Sequence, residues 1–368
     1  MPERIPVVIV AGFLGAGKTT LLNDLLRNNR GTRIGVVVND FGAVNIDAML
    51  VAGQVDAMVS LGNGCVCCAV DVSELDDLFT RLTDPRAGID VIVVEASGLA
   101  EPRNLVRMVV GSENSRIRYG GLLEVVDAGE FAGSRARHPE LASHLRLADL
   151  VVVNKADRVG AAQLDGLRAE ITELTGGAPV YATTRGRIDP GLLFDPRRRG
   201  EPRIGEQLSL DELLREEHEH DEHDGDHRHL HDDYTSVVFT EAAALHPRRL
   251  VDFLEKPPAG LFRAKGFVTF AAPGPGRFLL HLVGRAITLE PVDRAPRGAG
   301  TELVLIGTGL DTDALLERLR ATVHSGPERL DDQEMLAVWR YIPDIAREAA
   351  DDDYPQALTH SESPSANS

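Results

Sequence analysis

The chain has 368 residues and a formal net charge of -18, with 43% hydrophobic and 26% charged residues. That length is sufficient for two domains with their own cores, and the composition is typical of a globular protein. The sequence has no apolar run of about 18 residues, and its acidity disfavours nucleic acid and anionic membranes as partners. Residues 1–6 lack the regions of a secretion signal, so we expect a cytoplasmic protein.

Short apolar runs alternate with helix-like stretches over the first half of the chain. The predicted strands cover residues 7–11, 34–38, 57–61, 91–94, 122–126, 150–153 and 179–182, and predicted helices cover residues 19–30 and 72–82. Several of these strands are almost continuous in valine and isoleucine, which is typical of parallel strands buried on both faces. We therefore predict a doubly wound α/β domain over residues 1–210, with its ligands at the carboxyl ends of the strands.

A phosphate-binding motif follows the first predicted strand. Residues 12–19 read GFLGAGKT, which matches GxxxxGK[ST] and opens the first predicted helix, as this motif requires. Backbone amides and the helix N-terminus attract phosphate here. The candidate phosphate-binding residues are Gly12, Gly15, Ala16, Gly17 and Thr20. Lys18 is expected to reach the β- and γ-phosphates, and the Thr19 hydroxyl is expected to bind Mg²⁺.

All three cysteines of the chain lie in one run, Cys65-Val66-Cys67-Cys68. An odd number of cysteines in one cluster does not fit a disulfide framework and is typical of a soft-metal site. In an extended backbone Cys65 and Cys67 point the same way, so Cys68 is the conditional ligand. Three thiolates leave a position open on Zn²⁺ or Co²⁺, which suits a carrier. Buried small side chains and a redox-sensing pair are the alternatives.

Two acidic residues follow predicted strands. Glu95 ends the strand at residues 91–94, where an acid normally holds Mg²⁺ through water, and Gly98 is placed to turn toward the γ-phosphate. A turn or helix-capping role is the alternative for Glu95. Asp40 follows the strand at residues 34–38, and its position suits either Mg²⁺ or the metal bound by the cysteines.

A base-reading motif follows the strand at residues 150–153. Asn154, Lys155 and Asp157 form the pattern N-K-x-D. Its aspartate accepts two hydrogen bonds from the guanine edge, and adenine lacks that pair of donors, so the motif predicts GTP over ATP. An ordinary surface turn is the alternative. Thr183 and Thr184, after the last strand, are weaker candidates for the base pocket.

The composition changes after this domain. Residues 211–233 are a predicted disordered linker, in which residues 216–233 hold six histidines and nine acidic residues. The imidazoles suit the loading of Zn²⁺, Co²⁺ or Ni²⁺, with a solvated spacer as the alternative.

A small α+β domain is predicted for residues 234–323. Its predicted strands cover residues 236–240, 261–270, 277–283, 286–289 and 303–306, and its helices cover residues 247–255 and 311–322. Residues 324–368 are a predicted tail with a helix near residues 333–349 and disorder beyond it.

These motifs together resemble the CobW-type metal-chaperone GTPases, which are related to UreG and HypB. The resemblance lies in GFLGAGKTTLLN at 12–23, NDFGAVNID at 39–47, GNGCVCC at 62–68, EASGLAEP at 95–102, NKAD at 154–157 and RAKG at 263–266. It implies a SIMIBI-type P-loop domain, a histidine-rich linker and a CobW C-terminal domain. It also implies that Lys18, Thr19 and Glu95 serve GTP hydrolysis and that Cys65, Cys67 and Cys68 bind the transferred metal.

Three positions depart from the family pattern. Asp40 and Ala43 stand where glutamate is frequent, and His144 stands where glutamine is common. A carboxylate that would assist metal binding is therefore absent at residue 43, and the affinity for metal is expected to differ from that of other members.

The predicted function is a GTPase that delivers Zn²⁺ or Co²⁺ to a client metalloprotein, with GTP and Mg²⁺ as cofactors and a homodimer as a possible assembly. One alternative is a metal-buffering protein in which the nucleotide is only a structural ligand. Another is a P-loop kinase or adenosyl-transferring enzyme, which the guanine-reading pattern disfavours.

Overall fold

A computed structural model describes residues 4–38, 57–60, 72–98, 101–194, 234–273, 277–292, 300–326 and 330–343. The strands of the first sheet are β1 (Ile5–Gly12), β2 (Ile34–Val38), β3 (Ala57–Ser60), β4 (Val91–Glu95), β5 (Ile117–Asp127), β6 (Leu150–Asn154) and β7 (Val180–Ala182). Neighbouring strands pair in parallel, in the order β3-β2-β4-β1-β5-β6-β7. The predicted doubly wound sheet is confirmed.

Helices cover both faces of this sheet, which is why its strands are apolar on both sides. They are α1 (Lys18–Arg27), α2 (Val72–Leu82), α3 (Pro102–Val110), α4 (Phe131–Arg137), α5 (Leu141–Leu145), α6 (Ala161–Thr175) and α7 (Pro190–Leu193). On one face Leu21 of α1 packs in a cluster with Val8 of β1. On the other face Phe79 of α2 and Leu105 of α3 pack in a cluster with Ile9.

The position of β1 decides where the functional residues meet. It lies between β4 and β5, and β6 follows β5. Because all these strands run in parallel, their last residues lie along one edge of the sheet. Those residues are Gly12, Glu95, Asp127 and Asn154.

The second domain is an antiparallel sheet covered by helices on one face. Its strands are β8 (Thr235–Glu241), β9 (Leu261–Val268), β10 (Phe278–Val283), β11 (Ala286–Pro291) and β12 (Thr301–Gly307), in the order β11-β10-β9-β12-β8. Its helices are α8 (Pro247–Glu255), α9 (Thr312–Arg320) and α10 (Asp332–Trp339). Leu250, Leu315 and Met335 of these helices share a buried cluster with the sheet. The predicted α+β fold is confirmed.

The two domains pack against each other at the middle of β5. Phe262 and Val283 of the second sheet lie in the same buried cluster as Leu123 of β5. Gly121 has φ +111°, and a Cβ there would lie 2.8 Å from Val283 Cγ1, so the contact requires glycine. No helix in the described ranges is long and apolar enough to cross a membrane.

Three predicted boundaries were wrong by three or more residues, each for a local reason. Helix α1 ends at Arg27 instead of residue 30, because Arg30 and Gly31 take left-handed φ angles of 47° and 82°. Strand β5 begins at Ile117 instead of residue 122, and its two glycines hide the early part of the strand from the apolar pattern. Helix α10 ends at Trp339 instead of residue 349, because a proline at residue 343 clashes with the carbonyl four residues earlier.

Candidate nucleotide and metal site

The phosphate-binding loop leaves β1 and enters α1 through a tightly packed turn. Gly12 has φ +144°, and a Cβ there would lie 2.3 Å from the Val125 carbonyl oxygen of β5. Gly17 has φ +107°, and a Cβ there would lie 2.2 Å from Asn154 Nδ2 of the NKAD run. Only glycine fits these backbone angles and distances without strain. The loop therefore lies directly against the ends of β5 and β6.

Lys18 folds back over the loop from the start of α1. Its Nζ donates hydrogen bonds to the carbonyl oxygens of Gly12, at 2.9 Å, and Phe13, at 3.4 Å. The side chain is buried. The ammonium is therefore held inside the loop, where phosphate oxygens would offer it stronger, charged acceptors.

The predicted Mg²⁺ ligands lie together at the start of α1 and the end of β4. The Thr19 hydroxyl donates a hydrogen bond to Glu95 Oε1 at 3.0 Å, and Glu95 is buried. A hydroxyl and a carboxylate oxygen form the kind of hard donor set that Mg²⁺ prefers, so these residues fit the ion. Their role in binding it stays a prediction.

Gly98 lies close to the phosphate-binding loop. A Cβ at Gly98 would lie 2.7 Å from Leu14 Cδ2, so the turn after β4 touches the loop after β1. Thr20 is exposed on the first turn of α1, while Ala16 is buried. All the phosphate-site candidates therefore lie on this one edge of the sheet.

Asn154 connects the base-reading run to the phosphate-binding loop. Its Nδ2 donates to the Ala16 carbonyl at 3.0 Å, and its Oδ1 accepts from the Gly186 amide at 2.9 Å. The side chain is buried, so each lost bond would leave a desolvated polar group. Gly186 was not predicted. It follows Thr183 and Thr184 in the chain, and its amide holds the Asn154 side chain. The base-pocket role of the two threonines stays a prediction.

Lys155 forms a second connection to the same loop. It has φ 57°, and its Nζ donates to the Gly15 carbonyl and to Asp127 Oδ2, both at 2.6 Å. Burial raises the pKa of Asp127, but the bonds from Lys155 and from backbone amides outweigh it, so the pKa lies below its ordinary value. Asp127 was also missed, although its place at the end of β5 was a usable signal.

Asp157 is the predicted base-reading acid. It lies in a short 3₁₀ turn, Ala156–Arg158, which has no buried residue. Backbone bonds hold this turn beside the next strand, since the Ala156 amide donates to the Thr183 carbonyl at 3.0 Å. An exposed carboxylate on a fixed turn is suited to meet the edge of a purine base.

A cavity of about 300 Å³ adjoins the phosphate-binding loop. Phe13 and Leu14 of the loop line it, together with Glu124 and Val126 of β5 and Phe131 of α4. Glu124 is buried, and burial raises its pKa to about 8, although Lys18 lowers it and Glu101 raises it slightly further. The sequence offered no motif that would have singled out this residue.

Two family models match the sequence of this chain. Residues 6–182 match the model for the CobW/HypB/UreG nucleotide-binding domain, and residues 234–323 match the model for the C-terminal domain of cobalamin synthesis protein CobW. A zinc chaperone CobW from a Sinorhizobium species is 31% identical over 340 residues, covering 83% of this chain and 93% of that protein. The chain belongs to the CobW family.

Another CobW-family relative has similar coverage. The zinc chaperone CobW of Pseudomonas aeruginosa is 34% identical over 361 residues, covering 87% of this chain and 92% of that protein. Among solved structures, the crystal structure of Zn(II)-bound YjiA GTPase from E. coli matches with 22% identity and a TM-score of 0.42, over 88% of this chain and 100% of that one. The family predicted from the sequence is confirmed.

The predicted ligands of the transferred metal in this CobW-family chain lie outside the described residues. These ligands are Asp40, Cys65, Cys67 and Cys68, and the same holds for Ala43 and for the histidine-rich run at residues 216–233. Within the described ranges, no group of three or more histidine, cysteine or acidic residues is arranged to hold a metal ion. His144, the third departure from the family pattern, lies 3.3 Å from Glu101 Oε2 through its Nε2.

Proposed function

We propose that this chain is a GTP-hydrolysing zinc chaperone, which binds Zn²⁺ through Cys65, Cys67 and Cys68 and passes it to a client metalloprotein. The observation that carries the proposal is the contact of the NKAD run with the phosphate-binding loop through Asn154 and Lys155. A guanine-reading segment and a phosphate-binding segment are thereby held in one site.

In this proposal Lys18 binds the β- and γ-phosphates, and Thr19 and Glu95 hold Mg²⁺, which neutralises charge on the phosphates when bound. The arrangement supports these roles because the hydroxyl and the carboxylate are already 3.0 Å apart. Asp157 selects guanine, and Asn154 fixes the distance between the base and phosphate subsites.

The metal half of the proposal rests on the chemistry of the cysteines. Thiolates are soft ligands that suit Zn²⁺, and three of them leave one position for a ligand from a client. The relatives from Sinorhizobium and Pseudomonas are both called zinc chaperones, which favours Zn²⁺ over Co²⁺ as the cargo. Asp40 is the candidate oxygen ligand beside them.

The sheet register supports a coupling between nucleotide and metal. Val38, the last residue of β2, pairs with Glu95 on one side and with Ser60 of β3 on the other. Asp40 lies two residues after Val38, and the cysteines begin five residues after Ser60. Asp40 therefore follows the strand next to that of the proposed Mg²⁺ ligand, and the cysteines follow the strand beyond it. Occupancy of the γ-phosphate position has a short route through β2 to both segments.

The test of this function compares nucleotides and metals on the full chain. We expect hydrolysis of GTP in clear excess over ATP, and bound Zn²⁺ that is lost in the Cys65→Ala/Cys67→Ala variant. Equal turnover of ATP would contradict the assignment of the base site. Unchanged Zn²⁺ binding by the cysteine variant would contradict the assignment of the metal site.

A further inference from the structure

Glu124 is a buried acid next to the phosphate-binding loop that the proposed mechanism does not use. It lies on β5, where side chains alternate between the two faces of the sheet. Leu123 and Val125 pack in the cluster that contains α1, whereas Val126 packs in the cluster that contains α4. Glu124 therefore points to the face opposite α1, into the cavity under Phe13 and Leu14.

The carboxyl group of Glu124 is incompletely bonded in these surroundings. Its Oε2 accepts no hydrogen bond from any described residue, and only 3% of the residue is exposed. An ionised carboxylate in such a place lacks the bonds that would offset its loss of water. Burial therefore disfavours its ionised form, and nearby charges shift the balance between the ionised and neutral forms further.

The charged groups around Glu124 come from several elements. Lys18 at the start of α1 favours its ionised form, and Glu101, which precedes α3, disfavours it. The cavity is also lined by charged residues from β5, α4 and the NKAD loop. These are Asp127, Glu130, Arg137, Lys155 and Arg158. Lys18 is the one among these neighbours that the proposed function assigns to the nucleotide phosphates.

We propose that nucleotide binding at the phosphate-binding loop is coupled to the uptake of one proton from solvent by the Glu124 carboxylate. The inference rests on the proposed function, because it requires phosphate groups at Lys18. The step is a simple protonation: a carboxylate oxygen gains a proton from water or buffer, and no other bond changes. The cavity gives the proton a route from solvent to the buried oxygen.

The direction follows from electrostatics. In the protein without nucleotide, burial raises the pKa of Glu124 to about 8, although the positive charge of Lys18 stabilises the ionised form. Bound phosphates neutralise Lys18 and add negative charge nearby, so the pKa rises further. Above pH 8 the unliganded protein is increasingly ionised at Glu124 and must take up a proton to bind nucleotide. Affinity for nucleotide therefore falls as the pH rises through this range.

The test measures the Kd of the intact chain for GDP–Mg²⁺ from about pH 6.5 to 9.5, in wild type and in Glu124→Gln. The wild type should lose affinity for GDP above pH 8 by up to about tenfold per pH unit. The Glu124→Gln variant should not show this fall in affinity. Ionisation of guanine itself affects both proteins equally. Glu130→Gln is the matched control, because Glu130 lines the same cavity but is exposed, and its profile should follow the wild type.

A second measurement needs no variant. Calorimetric titration at pH 8 in two buffers with different ionisation enthalpies counts the protons taken up on binding, and wild type should take up a measurable fraction of one. Circular dichroism confirms that Glu124→Gln is folded. Nucleotide binding with the same pH profile in wild type and Glu124→Gln would overturn the inference and leave the proposed function standing. Failure to bind guanine nucleotide at any pH would overturn both.

Discussion

The Thr19 hydroxyl donates a hydrogen bond to Glu95 Oε1 at 3.0 Å, and this bond joins the start of α1 to the end of β4. The two residues are 76 positions apart in the sequence, and the parallel pairing of β1 with β4 brings them together. A bound Mg²⁺ would draw on both oxygens, so the proposed catalytic centre depends on the register of two neighbouring strands.

Replacing Glu95 by glutamine should therefore reduce GTP hydrolysis by about 10–100-fold, because a neutral amide oxygen is a weaker partner for Mg²⁺ and its waters. The Mg²⁺ concentration needed for half-maximal rate should rise at the same time. Steady-state phosphate release across a Mg²⁺ titration measures both effects. Glu101→Gln is the control, since its carboxylate lies 3.3 Å from His144 Nε2 and not against Thr19. An unchanged Mg²⁺ requirement in Glu95→Gln would refute this role.

Asp157→Asn should weaken GTP binding by roughly 10–100-fold, because the carboxylate accepts two hydrogen bonds from guanine and an amide accepts only one. Xanthine carries a carbonyl in place of the 2-amino group, so XTP should bind the variant better than it binds wild type. Competition binding with GTP, XTP and ATP measures this change. Asp165→Asn, an exposed change on α6, should leave all three affinities unaltered. Retention of GTP preference by Asp157→Asn would show that another residue reads the base.

Gly17→Ala should abolish nucleotide binding. A Cβ at this position would lie 2.2 Å from Asn154 Nδ2, and φ +107° is strained for alanine, so the loop and the base-reading run must separate. Isothermal titration with GDP measures the loss. Gly166→Ala is the matched glycine change, because it lies inside α6 with open space around it. It should leave binding intact and stabilise the fold by about 0.5–1 kcal/mol.

The stability of the fold should depend on pH through Glu124. Burial raises its pKa from 4.5 to about 8, so the folded state binds this proton more tightly than the unfolded state. The contribution of this proton to the stability of the folded state is complete below pH 4.5 and is lost as the pH rises to about 8. The melting temperature of Glu124→Gln relative to wild type should therefore increase from pH 5 to pH 8. A constant difference across this range would contradict the raised pKa.

The site could be predicted from the sequence where one segment carries a whole motif. The phosphate-binding loop and the NKAD run each follow an apolar strand, and parallel strands end at one edge, so their meeting was foreseeable. Asp127 could have been found from its place at the end of an apolar strand. Gly186 was missed because it acts through a contact to a distant segment, and no local pattern marks it. Glu124 was missed because its importance comes from burial beside Lys18, which only the folded chain displays.

The central claim is that the bound nucleotide controls the metal site. The most direct measurement is the Zn²⁺ affinity of the full chain, by competition with a chelator, when it is loaded with GDP–Mg²⁺ or with a non-hydrolysable GTP analogue and Mg²⁺. The Zn²⁺ affinities of the two states should differ by about fivefold or more, and Zn²⁺ should change the preference for the GTP analogue over GDP by the same factor. The Cys65→Ala/Cys67→Ala variant should lose high-affinity Zn²⁺ binding in both states. Equal Zn²⁺ affinity in the two nucleotide states would contradict the claim and favour a metal buffer.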